Sequence, residues 1–208
     1  MLKADTMKKF RPNLNRMRLP PEGLFLARWL KAPHKVGALL PASRRLARAM
    51  AEQIAPEAGL IIELGGGTGS ITQALLDTGV PPERLIVVER DPAFYALLRK
   101  EFPFVKVVRG DALRLRALLT PLGVERAAAV VSSLPLLSMP GPLRQKIVEE
   151  SFGLLGERGT FIQYTYGAFS PLRRRKAGLK GEIAERVWRN FPPAAVWRFR
   201  RRDVRLVG

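Results

Sequence analysis

Cysteine is absent from the 208 residues, and histidine occurs once, at His34. The first absence excludes a disulfide framework and any cysteine-ligated metal, and the second leaves too few nitrogens for a protein-held zinc. No metal is expected. No stretch of about 18 apolar residues is present to cross a bilayer, and the N-terminus lacks the apolar core of a signal peptide. A soluble or peripheral protein in a reducing cytoplasm fits these absences. Acidic residues are also scarce, 18 Asp/Glu against 36 Lys/Arg, for a net charge of +18.

The excess charge is unevenly spread. Residues 1–55 carry 12 Lys/Arg and 3 Asp/Glu, residues 171–208 again 12 and 3, and the central 56–170 is balanced at 12 and 12. A neutral body with basic ends favours an anionic polymer or an anionic membrane surface. Met7, Phe10, Leu14 and Met17 recur at helical spacing beside Lys8, Lys9, Arg11, Arg16 and Arg18, the pattern of an interfacial amphipathic helix. Pro12 limits that helix to the residues after it or kinks it. Phe25 and Trp29 form a second apolar stripe flanked by Arg28 and Lys31. Residues 1–32 are therefore expected to be a membrane-association segment of amphipathic helices, and 33–208 the globular domain.

The stretch Ile61-Ile62-Glu63-Leu64-Gly65-Gly66-Gly67-Thr68-Gly69-Ser70 is an apolar strand that breaks into a glycine-rich loop before a helix. Dinucleotide binding wants Gly-x-Gly-x-x-Gly, and from Gly65 the last position is Ser70; a phosphate-cradling loop wants a Lys that is missing. The remaining pattern, Glu-x-Gly-x-Gly-x-Gly, resembles motif I of the class I S-adenosylmethionine (SAM) methyltransferases. Close backbone approach at Gly65, Gly66, Gly67 and Gly69 suits SAM, whose ammonium a carboxylate such as Glu63 can hold.

Alternation of strand and helix patterns follows. A helix led by Pro41 runs through Leu46, Met50 and Ile54. Strands are expected at 60–63, 85–89, 105–108, 127–131 and 160–164, with helices at 71–77, 91–102, 112–119 and 143–155, the last stopped by Gly156 and Gly159. Runs 183–188 and 195–200 read as a closing strand pair. Ligands of an open parallel sheet lie outside the carboxyl ends of its strands. Glu63, Glu89 and Asp111 fall at three such ends, suited to the ammonium, the ribose hydroxyls and the adenine amine of a nucleoside. Ser132-Ser133-Leu134-Pro135 ends the fourth strand, where the reacting methyl would lie. Asp91 reads as a helix cap.

Residues 34–200 resemble the bacterial phospholipid N-methyltransferases, which convert phosphatidylethanolamine stepwise to phosphatidylcholine. The similar stretches are 36–43, 63–69, Glu89-Arg90-Asp91-Pro92, Ser132-Ser133-Leu134-Pro135-Leu136 and 187–194. The resemblance implies a Rossmann-like α/β fold, with a seven-stranded, mostly parallel sheet and an antiparallel last strand. It implies SAM as cofactor and S-adenosylhomocysteine as product, with Ser43, Thr68, Arg90, Ala112 and Ser132 joining the acids and glycines in the cofactor site. The implied partners are an anionic phospholipid surface and an aminophospholipid, peripheral to the inner face of the cell membrane.

The ribosomal-RNA adenine dimethyltransferases share this branch of the fold. Their fourth-strand loop places an Asn against the target amine and stacks an aromatic on the flipped base. Ser132 or Ser133 and Leu136 stand at those positions here, so a nucleic-acid substrate is not expected. RNA adenine methylation is the first alternative, and a non-catalytic SAM-binding membrane adaptor the second. Tyr164 and Tyr166, after the fifth strand, offer aromatic faces to a methylated ammonium. The amine must lose a proton before it is methylated; candidate acceptors are the lipid phosphate, water, a carbonyl near Leu134, His34, or a tyrosine.

Overall fold

The computed structural model describes residues 42–55, 59–166, 169–172, 178–190 and 192–202. The expected segment 1–32, including Lys8 to Trp29, lies outside them, as do His34 and Pro41. The elements are α1 (Arg44–Ala51), β1 (Ile61–Leu64), α2 (Ser70–Asp77), β2 (Leu85–Glu89), α3 (Pro92–Glu101), β3 (Lys106–Arg109), α4 (Leu115–Leu119), β4 (Ala127–Ser132), α5 (Gly141–Leu154), β5 (Leu155–Tyr166), β6 (Leu179–Val187) and β7 (Ala194–Arg201).

The seven strands form one sheet in the order β3-β2-β1-β4-β5-β7-β6. Strands β1 to β5 pair in parallel, and β7 is inserted antiparallel between β5 and β6. The expected α/β fold with a mostly parallel sheet is what the structure shows.

Strand alternation sorts the side chains onto two faces. Ile61, Leu85, Val87, Val131, Ile162 and Tyr164 join α1, α2 and α3 in one core cluster. Ile62, Leu64, Ile86, Val88, Val130 and Phe161 join α4 and α5 in the other. Burial on both faces explains why β1, β2 and β4 read as continuous apolar runs instead of alternating ones. Helix starts follow their caps: Ser43 Oγ accepts from Leu46 N at 3.2 Å, and Asp91 Oδ1 from Ala93 N at 2.8 Å.

Some sequence expectations need correction. The helix expected to stop at Gly156 ends at Leu154, and β5 begins at Leu155 with no loop between. Pairing with β4 jumps from Ala127–Leu155 to Ala129–Thr160, so residues 156–159 form an irregularity inside the strand. A Cβ at Gly159 would lie 2.8 Å from Leu155 Cβ and 2.9 Å from Gly156 O, whereas one at Gly156 would meet open space; Gly159 permits the irregularity, and neither glycine ends a helix. The third strand is shifted by one residue, to Lys106–Arg109, and the expected helix 112–119 is a 3-10 turn followed by α4. β6 begins four residues earlier than expected and leaves Trp188 outside the strand.

Candidate active site

Three carboxylates stand at the carboxyl ends of adjacent strands. Glu63 is fully buried near the end of β1, where its Oε2 accepts from Thr72 Oγ1 of α2 at 2.7 Å. Its Oε1 has no hydrogen-bond partner among the described residues. Burial pushes this carboxyl up to about 8, opposed by the Thr72 hydrogen bond and reinforced by the charge of Glu89. A buried carboxylate with a free oxygen calls for a cation.

Glu89, ending β2, is committed to the backbone. Its Oε2 accepts from Gly67 N at 2.9 Å and its Oε1 from Asp91 N at 2.7 Å. It thereby ties the glycine loop to the start of α3, and each oxygen keeps a further lone pair. Asp111, just past β3, accepts from Leu113 N at 3.0 Å through Oδ1 and pairs through Oδ2 with the exposed Arg90 at 3.3 Å. Ala112 is buried behind it.

The glycine loop contains two kinds of glycine. A Cβ at Gly66 would lie 2.5 Å from Val87 Cγ1 and 2.7 Å from Leu98 Cδ1, so Gly66 lets the loop pack onto the sheet; at Gly69 it would overlap the Phe102 ring. Gly67, at φ +54°, has no neighbour nearer than Gly65 O at 3.9 Å. Its backbone faces open space that any side chain would fill. Thr68 is half-buried, with its hydroxyl 3.3 Å from that of Ser70.

The end of β4 departs from expectation. Ser132 lies on the α4/α5 side of the sheet, fully buried, and its Oγ accepts from Leu134 N at 3.3 Å. The hydroxyl that reaches the cofactor loop is that of Ser133, which donates to Leu64 O at 3.1 Å and also to Gly65 O. The reason is strand alternation: in register with Leu64, Ser132 shares its face, and Ser133 is the first residue free to turn back.

Tyr164 and Tyr166 share a face, with ring centroids 5.4 Å apart at 73°. Tyr164 belongs to the core cluster with Leu46 and Met50, and Tyr166 is half-buried against that cluster. Only Tyr166 of the two presents much surface to a ligand. Burial, and then the neighbouring Tyr166, pushes the Tyr164 hydroxyl well above its ordinary value; burial also raises Tyr166. The Ser43 hydroxyl is likewise occupied, capping α1 and donating to Asn190 Oδ1, while Asn190 Nδ2 donates to Pro192 O at 2.6 Å.

Sequence reasoning missed Thr72, Gln163 and Asn190. Gln163, 1% exposed, donates through Nε2 to Leu134 O at 3.0 Å and to Tyr164 O at 2.9 Å. Its signal was a lone amide inside the apolar run Phe161-Ile162-Gln163-Tyr164; that of Thr72 was a hydroxyl on the apolar face of α2. A separate groove of about 600 Å³, walled by Leu113, Arg116, Ala117, Leu143 and Lys146, lies on the α4/α5 side away from these groups.

A buried carboxylate with a free oxygen, an open stretch of backbone at Gly67 and a partly exposed Asp111, on three adjacent strand ends, fit a cationic nucleoside such as SAM. No family model matches the chain. Ornithine lipid N-methyltransferase of Singulisphaera acidiphila is 39% identical over 146 residues, which cover 68% of this chain and 76% of that protein. Ribosomal RNA small subunit methyltransferase A of Thermotoga petrophila is 31% identical over 111 residues, 50% of this chain but 39% of that protein. Among solved structures, the 1,6-didemethyltoxoflavin-N1-methyltransferase of Burkholderia thailandensis superposes with a TM-score of 0.62 at 17% identity, covering 88% of this chain and 89% of that one. A TehB-like SAM-dependent methyltransferase from Corynebacterium glutamicum gives 0.58 at 17% identity, over 86% and 97%. At such identities these structures speak for the fold, and the lipid enzyme for the family. The chain belongs to the family of the ornithine lipid N-methyltransferase, within the class I SAM-dependent methyltransferases.

Proposed function

We propose that the protein transfers methyl groups from SAM to the primary amine of a membrane lipid. Ornithine lipid, named in its relative, is the first candidate substrate, and phosphatidylethanolamine, methylated stepwise towards phosphatidylcholine, the second. The observation that carries this reading is Leu136. It occupies the position where a base-modifying relative needs an aromatic platform, and it is 1% exposed, packed into the core cluster of α4 and α5. A flipped base would find nothing to stack on there.

When bound, SAM supplies a methyl group activated by its sulfonium. Glu63, through the free Oε1, would hold the cofactor's ammonium, the Gly67 backbone would lie against it, and Glu89 and Asp111 would take the nucleoside. Tyr164 and Tyr166, with hydroxyls pushed up, stay protonated at neutral pH and so are hydrogen-bond donors, not proton acceptors. The Leu134 carbonyl is already engaged by Gln163 Nε2 and Leu136 N, so Gln163 would hold the loop beside the amine in place while water or the lipid's own anionic group accepts the proton. Positioning and exclusion of water then supply much of the rate. The basic segment 1–32 is proposed as a membrane anchor that concentrates enzyme on its substrate.

The test is to offer labelled SAM to the purified protein with vesicles containing ornithine lipid or phosphatidylethanolamine, with and without anionic lipid, and separately with ribosomal RNA. Label in extractable lipid, rising with anionic content, is the expected result. Label confined to RNA would overturn the reading, and no turnover despite SAM binding would favour an adaptor.

A further inference from the structure

The carboxyl edge of the sheet is chemically divided. Glu63, Glu89 and Asp111 occupy the ends of β1, β2 and β3, one half of the edge. The other half, formed by β4, β5, β7 and β6, spans roughly 15 Å at ordinary strand spacing. It carries three exposed large apolar side chains. Leu137, in the turn after β4, is 42% exposed; Phe169, beside the end of β5, is 80% exposed; Trp188, just past β6, is 70% exposed. Val187 pairs with Ala194, and Ala194 with Tyr166, so the end of β6 lies at the same edge as the end of β5. Among the described residues Phe104, Leu122 and Leu143 are comparably exposed elsewhere; Phe104 and Leu122 precede β3 and β4 at the opposite edge, and Leu143 walls the α4/α5 groove.

The surroundings of Trp188 are basic. The Arg186 guanidinium lies 5.8 Å from its ring centroid, and Arg189 is exposed beside it. Of the acids on β6, Glu182 is paired with Arg198 at 2.7 Å and Glu185 is half-buried. In sequence, Arg173-Arg174-Arg175-Lys176 follows shortly after Phe169. Amphipathic indole and guanidinium groups around small apolar protrusions suit the headgroup level of an anionic bilayer. The basic side chains flanking Trp188, unpaired with any acid among the described residues, complement an anionic lipid surface.

We infer that the β4–β6 half of the carboxyl edge is a second membrane-docking surface, distinct from segment 1–32, which seats the substrate side of the site on an anionic lipid surface with Trp188 and Phe169 inserted. The acidic half is then turned towards the cofactor supplied from water. This rests on the lipid reading above. It adds that the catalytic body itself meets the membrane in one fixed orientation, so that an aminolipid need rise only as far as its headgroup.

The test uses the full chain carrying Trp29→Phe, so that Trp188 and the buried, Thr165-bonded Trp197 are the remaining indoles. Vesicles of phosphatidylglycerol with brominated acyl chains should quench and blue-shift the Trp188 emission, and the added substitution Trp188→Phe should remove that response. Trp188→Ala with Phe169→Ala should weaken partition to anionic vesicles about tenfold or more, since each ring would leave an apolar environment. The thermal midpoint should stay unchanged, because both side chains are exposed. Sedimentation with vesicles while Trp188 remains unquenched would overturn this surface, as would failure to bind anionic vesicles at all. If label nevertheless enters lipid in detergent micelles, the lipid reading survives the loss of this surface; label only in RNA would sink the reading itself.

Discussion

Thr72 Oγ1 donates to Glu63 Oε2 at 2.7 Å inside the core, and the other oxygen of that carboxylate is left without a partner among the described residues. One helix residue thus fixes the carboxylate in place and leaves Oε1 for a ligand. Burial holds the carboxyl up at about 8, so at neutral pH the free protein keeps Glu63 protonated, and an incoming cation must displace that proton.

Binding of SAM should therefore release a proton near pH 7, and affinity should rise as pH approaches 8. Titration calorimetry in two buffers of different ionisation enthalpy reads this directly. Glu63→Gln should abolish the release and weaken binding about tenfold or more.

The same group sets a stability trend. Below about 4.5 the carboxyl is protonated whether the chain is folded or not. Between 4.5 and 8 only the folded form keeps the proton, so stability contributed by Glu63 is lost as pH rises through this window, by roughly 1.4 kcal/mol per pH unit. Denaturation of the ligand-free protein should show a shallower slope there for Glu63→Gln than for wild type.

Gly67 and Gly66 should fail differently. Gly67→Ala places a methyl in open space at a left-handed backbone position, costing about 1 kcal/mol of stability while blocking the cofactor. Gly66→Ala drives a methyl into Val87 and Leu98 and should cost several times more in stability. Thermal melts set against SAM affinity separate the two; equal stability losses would contradict the assignment of Gly67 to the ligand.

Gln163→Leu keeps the volume but removes the side-chain donor to the Leu134 and Tyr164 carbonyls, leaving Leu134 O its bond from Leu136 N. Turnover should drop about tenfold with SAM affinity within twofold of wild type, because the loop that presents the amine loosens while the glycine loop does not. Loss of affinity in step with turnover would mean Gln163 acts through the cofactor site.

On the opposite face, burial would raise the Glu150 carboxyl, but the Arg116 backbone and guanidinium and the Lys146 ammonium outweigh it and bring it down to about 2. That stabilisation is present above about 4.5 and is lost as pH falls towards 2. Glu150→Gln should be less stable than wild type at pH 6, by about 1–3 kcal/mol, and should lose little more on acidification.

The placement of the acids and of the glycine turn at the strand ends was legible in the sequence because its logic is local. Glu63, the glycines, Glu89 and Asp111 each sit at the end of a strand and the start of a turn, and strand length with turn chemistry is written within about ten residues. Asp91 as a cap followed from the Pro92 beside it, and the structure shows it accepting from Ala93 and Phe94. The choice between Ser132 and Ser133 was not legible, since it depends on which face a strand end presents once β4 has paired with β1. The extent of β5 was missed because Gly156 and Gly159 have the same local signature in a helix stop and in a strand irregularity; only pairing with β4 distinguishes them.

By itself the sequence determined an alternating α/β chain with three acids and an open glycine turn at successive strand ends, because periodicity and backbone sterics act over neighbouring residues. Tertiary structure alone decided that Gln163 steadies Leu134, that Asn190 meets Ser43 across 147 positions, and that Trp188, Phe169 and Leu137 share one edge. Those relations come from strand order and register, which no short stretch encodes: β7 is threaded antiparallel between β5 and β6, and that insertion sets β6 parallel to β5 and brings its end, with Trp188 and Asn190, to the carboxyl edge.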